Sequence, residues 1–413
     1  MKGIFSILIV FISLPVISQQ HVNVSLIARN TGEKILSTND TIRVFGFATS
    51  LGSQPGVPGP TIIANEGDSV HIDVWNVSQG APHTIHLHGL DVDQENDGVP
   101  HLSFDIPHMD HGYYHFKAPH AGTYLYHCHV ASTIHVQAGM YGLIVIKPSD
   151  GSNTTWNGGY EFTEEHSYFL SEIDTVWHRD SILLHDHDTS MMIHQLNIPD
   201  YHPQYFLING LSDQQLTNEG VALNMAVNQI DYVRLANIGY FGVRVIFPTE
   251  LNARIISSDG RPLNMEEISD TAVVYPGERF GVLIEPTMEF NGQIYYEYFN
   301  LNTNQIIGNQ MVEVEVSGFL DMDTELSNVL ELEIFPNPVL KGLSIHLNTD
   351  ISSDIQLQIV DMNGNIVWND NKEIFFLGNQ SIYIEDLNLI SGTYIVQVKN
   401  NEKVIGVKKF IKL

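Results

Sequence analysis

The stretch Tyr126-His127-Cys128-His129-Val130-Ala131-Ser132-Thr133-Ile134-His135-Val136-Gln137-Ala138-Gly139-Met140 contains the single cysteine of a 413-residue chain. One thiol cannot form an internal disulfide, and an unpaired cysteine in an exported chain calls for a chemical role. A free Cys is most often a small buried hydrophobe. Here, however, a His stands on each side, and a further His and a Met follow. Thiolate, imidazole and thioether are the donors of a blue copper site, with two His and one Cys in a trigonal set and a weak axial Met. Cys128, His135 and Met140 supply three of the four.

The fourth donor comes from Pro82-His83-Thr84-Ile85-His86-Leu87-His88-Gly89. Side chains alternate faces along a strand, so His127 and His129 share one face while Cys128 points to the other. His86 and His88 share a face in the same way, and His83, three residues before His86, falls on the opposite side. His83 can therefore join Cys128, leaving His86, His88, His127 and His129 to face a second metal position. Two copper environments are expected back to back.

These motifs resemble those of the multicopper oxidases: a His-x-x-His-x-His run, and a His-Cys-His run followed by a spaced His and Met. The resemblance implies that His83, Cys128, His135 and Met140 hold a type 1 copper. It also implies that His86, His88, His127 and His129 are half the ligands of a type 2/type 3 cluster. In that family an organic or metal-ion donor gives single electrons to the type 1 site. These pass through the Cys thiolate and its flanking histidines to the cluster, where molecular oxygen is reduced to water. One departure is that five residues separate His129 from His135 where laccases have three, a longer loop like that of two-domain members.

The bulk composition limits the alternatives. With 48 acidic and 19 basic side chains the net charge is -29, which argues against nucleic acid or anionic lipid as a partner and favours solubility. A hydrophobic content of 43% with 10% aromatics is that of a globular chain rather than a disordered acidic one. A length of 413 residues suggests two or three domains. Residues 1–18 read as a secretory signal peptide, with Lys2 before an apolar run too short to span a bilayer and a cut after Ser18. No other segment is long and apolar enough for a transmembrane helix, so a secreted or cell-surface location is expected.

From His21 onward the pattern is all-β. Runs such as Thr41-Ile42-Arg43-Val44-Phe45-Gly46-Phe47 are broken by Gly, Pro and Asn turns, and no long helical period occurs. Strands at this spacing predict a Greek-key sandwich or barrel. Pro58-Gly59-Pro60-Thr61-Ile62 and Asp73-Val74-Trp75-Asn76 resemble the opening of a cupredoxin domain, which we place at 19–150. A second segment, 155–318, resembles the copper-free middle cupredoxin domain of laccases through Phe206-Leu207-Ile208-Asn209-Gly210 and Tyr275-Pro276-Gly277-Glu278-Arg279-Phe280. No histidine occurs between His202 and His346.

Beyond an acidic linker at 321–325, residues 331–413 resemble a type IX secretion system type A sorting domain. The motifs are Ile334-Phe335-Pro336-Asn337-Pro338, Val360-Asp361-Met362-Asn363-Gly364, Ser391-Gly392-Thr393-Tyr394 and the Lys408-to-Leu413 end. This resemblance implies a small C-terminal β-sandwich read by the secretion machinery at the outer membrane of Bacteroidetes-type Gram-negative bacteria.

The expected function is that of a secreted copper-dependent oxidoreductase of multicopper oxidase type, with a homotrimer among its assemblies. The family's trinuclear cluster takes eight histidines, however, and four are visible. Two other readings are therefore carried: a nitrite-reductase-like two-copper enzyme, and a non-enzymatic blue-copper electron-transfer or copper-holding protein. The nitrite reductases have Asp where His86 stands and lack the second His of the His-Cys-His run. His101, His108, His111, His115 and His120 are read as surface or hydrogen-bonded residues. His185 and His187 are read in the same way, and Met109, Met191 and Met192 as packing residues; oxidase activity is expected to be weak unless His185, His187, His194 or His202, from the same or a neighbouring subunit, complete the cluster.

Overall fold

The computed structural model describes residues 20–184, 198–318, 331–335, 337–361, 366–384, 387–400 and 403–412. The leader at 1–18, His185, His187, Met191, Met192, His194 and the acidic stretch 321–325 lie outside the described residues. Two compact units divide at Leu320.

The first unit opens with a sandwich of two sheets. One sheet is ordered β2-β1-β4-β6, from β1 (His21–Ile35), β2 (Thr41–Ala48), β4 (Ser69–Asn76) and β6 (His111–Lys117). The other is ordered β3-β8-β7-β5, from β3 (Ile62–Asn65), β5 (His86–His88), β7 (Gly122–His127) and β8 (Tyr141–Lys147). Parallel pairs, β1 with β4 and β3 with β8, sit among antiparallel ones, which requires chain crossovers between the sheets. In β4, Val70, Ile72 and Val74 alternate inward while Ser69, His71, Asp73 and Trp75 remain partly exposed. By contrast β7 and β8 are buried almost throughout, because Leu125, Tyr141 and Leu143 pack on Phe169, Ala236 and Ile238 of a second sandwich. Apolar residues on both faces are what a sheet between two packed layers requires.

The second sandwich has two sheets, one of six strands in the order Tyr205–Ile208, Glu164–Ile173, Asp231–Asn237, Arg279–Ile284, Arg254–Ser258 and Arg261–Ile268, and one of five in the order Ala222–Ala226, Ile306–Ser317, Phe290–Phe299, Gly242–Ile246 and Thr271–Val274. The strands that matter below are β9 (Glu164–Ile173), β12 (Asp231–Asn237) and β17 (Arg279–Ile284). Its core holds Tyr168, Leu170, Val233, Leu235, Val282, Ile284, Tyr296 and Tyr298. In the second unit, five strands from Glu331–Phe335 to Lys403–Lys412 form one hydrogen-bonded sheet around Leu343, Ile345, Ile359, Val396 and Phe410. Register shifts punctuate the pairing of its two longest strands, Leu343–Asp361 and Ile366–Ile384.

Candidate metal centre

The two candidate groups are built at one end of the first sandwich by a short strand, the end of a longer one and the loop that follows it. β7 ends at His127, and β5 pairs with it so that His86 lies opposite His127. Cys128 leaves the strand on the core side and is fully buried. Its Sγ lies 3.3 Å from His135 Nδ1 and 3.7 Å from His83 Nδ1, and the two imidazole rings are 4.9 Å apart. His83 is fixed by a backbone bridge to Ile106, and His135 by a seven-residue helix, α1 (Ser132–Ala138). Met140 is fully buried. Its carbonyl accepts from the Cys128 N–H and its N–H donates to the His135 carbonyl, so the turn through Gly139 closes the loop back on the cysteine. Gly139 has φ of +117°, and a Cβ there would lie 2.7 Å from the Phe45 carbonyl, which explains the glycine.

The electrostatics favour a thiolate. Burial by itself raises the Cys128 thiol, but His135 and then His83 outweigh it through charge and hydrogen bonding, holding the thiol well below its ordinary range. A low-lying thiol, two imidazoles and a buried thioether residue fit copper better than a hard cation, which prefers oxygen.

On the other side of the same backbone, four imidazoles face one another. His86 lies with its ring 5.6 Å from His88, 5.2 Å from His127 and 5.5 Å from His129, while His88 and His127 are 5.6 Å apart. Donor atoms of His86, His88 and His127 all lie within 4.8 Å of one another. His129 stands at the rim, 6.0 Å from His127, with its N–H donating to Thr84 Oγ1. It lies beyond the end of β7, so strand alternation no longer dictates its direction. Nδ1 of His86 is 2.8 Å from the Asp97 carbonyl and 3.5 Å from its carboxylate, an orienting partner of the kind metal-binding histidines use. Burial, and then the Arg279 guanidinium, push His88 down to about 4, while burial pushes His127 down to about 3. Both rings are therefore neutral at pH 7, the form that donates to a metal.

Among the described residues, the second sandwich contributes contacts to these groups rather than ligands. Gly277, in the turn before β17, and Arg279, the first residue of β17, abut the second group: a Cβ on Gly277 would lie 3.0 Å from His88 Cε1, and one on Gly89 would overlap the Arg279 side chain. Arg279 is 3% exposed and is held by Asp259 at 2.9 Å and by the Thr123 carbonyl. On the cysteine side, Gln137 of α1 donates to the Glu172 carbonyl at 2.8 Å and accepts from the Asp174 N–H at 3.0 Å, and the Tyr240 hydroxyl donates to the Thr133 carbonyl. The longer His129–His135 spacing thus forms a helix that docks on β9. That helix was not foreseen as an element, since seven residues carry too little periodicity to reveal one. Ile182 and Leu183, which follow β9, pack into the first sandwich's core, and Leu183 lines a crevice beside His83 and His135.

The other histidines have separate partners. His108 Nδ1 lies 2.7 Å from the Ser78 carbonyl, His120 Nδ1 2.7 Å from the Ala121 carbonyl and His111 Nδ1 2.7 Å from Asp73 Oδ1. His101 is exposed. His202 is exposed, its N–H donates to Asp174, and it belongs to neither converging group. Met109 is not a packing residue: its side chain is 57% exposed at a turn with φ of +63°.

Comparison with known proteins gives the family context. A multicopper oxidase family model matches residues 44–151, and a secretion system C-terminal sorting domain model matches 333–413. Copper resistance protein A of Pseudomonas syringae pv. tomato is 25% identical over 286 residues, 58% of this chain and 43% of the relative. The copper-containing nitrite reductase of Neisseria meningitidis serogroup B is 33% identical over 123 residues, 29% of this chain and 30% of the relative. The matched stretches span less than half the length of either relative. The blue copper oxidase of Nitrosomonas europaea superposes with a TM-score of 0.57 at 24% identity, covering 72% of this chain and 86% of that one, which shows the shared cupredoxin fold. Copper binding is implied by the family match, and secretion to the cell surface or exterior by the tail match. No helix among the described residues is long and apolar enough to cross a membrane. The chain therefore carries a multicopper oxidase domain at residues 44–151 and a secretion system C-terminal sorting domain at residues 333–413, on a cupredoxin-fold body.

Proposed function

We propose that the protein is an exported copper-dependent oxidoreductase. His83, Cys128, His135 and Met140 would hold a type 1 copper, and His86, His88, His127 and His129 the type 2/type 3 copper of a second centre. Its reaction is the one-electron oxidation of a small-molecule or metal-ion donor at the first centre, coupled to reduction of molecular oxygen at the second. Copper supplies the one-electron redox chemistry at both positions.

One observation carries this reading. Cys128 Sγ lies in the first group and the His127 imidazole in the second, so adjacent residues of one backbone join them. The protein's own part is to hold the first group dry, with His83, Cys128 and His135 at 2% exposure or less. It also keeps His88 and His127 neutral and orients His86 through Asp97.

A specific observation favours a second reading. Where the second sandwich meets His88 it presents Gly277 and Arg279, not histidine. Four imidazoles can saturate one copper or hold two, but do not cage three. A nitrite-reductase-like enzyme with two coppers needs fewer donors, and such a reductase is among the relatives. Copper content with electron paramagnetic resonance on the purified protein separates the cases. Four coppers per chain support the oxidase, and two with nitrite consumption the reductase. One means an electron carrier without oxygen chemistry, which refutes both.

For export, the reading is that the mature chain begins at Gln19 or Gln20 after an 18-residue leader, that the domains run 19–150, 155–318 and 331–413, and that the last directs type IX passage across a Gram-negative outer membrane. A homotrimer is the assembly proposed.

A further inference from the structure

The outer face of the β2-β1-β4-β6 sheet holds a third set of imidazoles. Alternation turns His21 outward from β1, His71 from β4 and His115 from β6. The antiparallel register sets His71 directly opposite His115, and the parallel register places His21 beside Ser69, one strand over. His71 Nδ1 lies 2.6 Å from His115 Nδ1, with ring centroids 4.6 Å apart, and the His21 ring is 5.8 Å from that of His71. Ser69 Oγ engages the other nitrogen of His71 at 3.1 Å, leaving Nδ1 turned toward His115. Next along the face, Asp73 is taken up by His111 at 2.7 Å, so its carboxylate does not compete for His71.

Two imidazole nitrogens meet in this way either by sharing a proton or by sharing a metal. Bonds of about 2.0–2.1 Å from two histidines to one ion in tetrahedral geometry place the nitrogens roughly 3.3 Å apart, so the pair, 2.6 Å apart, opens by less than about 1 Å to take one. Imidazole donors suit borderline transition ions rather than magnesium or calcium. A chain of net charge -29 also raises the local concentration of cations.

We propose that His71 and His115, each through Nδ1, form a two-imidazole surface site for a borderline divalent transition ion of the copper(II), nickel(II) or zinc(II) class, with His21 flanking the pair rather than converging on it. The site is separate from the two groups around Cys128 and does not rest on the oxidase reading.

The test is calorimetric titration of Zn(II) into the copper-loaded full chain after a chelator has removed labile metal. The wild type takes up one equivalent. His71→Ala and His115→Ala each weaken that uptake at least tenfold, and His71→Gln, which keeps a hydrogen-bonding side chain, weakens it equally. His21→Ala weakens it less, and His111→Ala on the same face leaves it unchanged. Circular dichroism checks that each variant keeps its β fold. Absence of Zn(II) uptake by the folded wild type, or undiminished uptake by His71→Gln and His115→Ala, would overturn the site and leave the pair as a hydrogen bond.

Discussion

The two sandwiches of the first unit share an architecture and divide the work. In the first, a three-residue strand, the end of β7 and the segments flanking them gather six imidazoles and one thiol into two clusters. The second has no histidine from 203 to 318 and faces those clusters with a glutamine-receiving strand, a buried carboxyl and Arg279. A cupredoxin sandwich is thus a frame that accepts donors but does not demand them, and function lies in the few loop and strand-end positions where donors are grafted. In this chain the second frame acts as a clamp. It holds helix α1 through Glu172 and Asp174, and it packs Gly277 against His88 and Arg279 against Gly89.

Removing a donor from the first sandwich gives the largest effect. The copper-loaded protein is expected to be intensely coloured through thiolate-to-copper charge transfer, and Cys128→Ser is expected to abolish the band while circular dichroism stays that of the wild type. A colourless, copper-replete wild type sinks the assignment of the cysteine.

Removing a clamp should instead cost stability and spare colour. Arg234 of β12 is 1% exposed; it donates to Thr123 Oγ1 at 3.0 Å across the interface and pairs with Glu165, which Lys147 also meets at 2.7 Å. Arg234→Ala leaves that carboxylate short of a partner, a loss of about 3 kcal/mol or more if breaking buried pairs is the guide. Thermal unfolding followed by circular dichroism should show a clearly lowered midpoint, with the blue band intact in the folded protein. An unshifted midpoint would mean that the interface does not depend on this pair.

Glu172 offers a subtler probe of the clamp. Burial pushes its carboxyl up to about 7, against backbone donors from Tyr240 and Phe241 that lower it. An acid whose folded pKa exceeds its unfolded value binds the extra proton in the native state, so stability is greatest at low pH and is lost as pH rises from about 4.5 to about 7. The effect is on the order of 3 kcal/mol at most. Glu172→Gln should flatten this part of the pH–stability profile, as read from unfolding midpoints across that range. An identical slope in the variant would exclude Glu172 as its source.

The smallest effect on copper is expected from the tail. Deleting the segment from Leu330 should leave colour and copper content unchanged while halting delivery to the cell exterior, as cell fractionation would show. Normal surface delivery of the truncated chain would contradict the sorting role.

Much of this layout is legible in the sequence, because its logic is local. Alternation along β7 separates the side of Cys128 from that of His127, and the spacing of His83, His86 and His88 carries the same distinction across to a neighbouring element. What sequence reading missed depends on pairing distant in the chain. The approach of Arg279 to Gly89, the docking of Gln137 on Glu172 and the His71–His115 contact each join residues whose meeting is set by register and interface rather than by neighbours. His129 falls between the two cases: it lies two residues past the strand's last residue, where alternation no longer dictates direction, and the structure places that ring at the rim of its group.

The central claim is that His127 belongs to a centre fed from the Cys128 side. Oxygen uptake by the copper-loaded protein with a generic one-electron donor tests it most directly. The account predicts measurable turnover by the wild type, and at least a tenfold loss in His127→Ala with the blue band retained. Undiminished turnover in His127→Ala, or loss of the blue band together with activity, would contradict it.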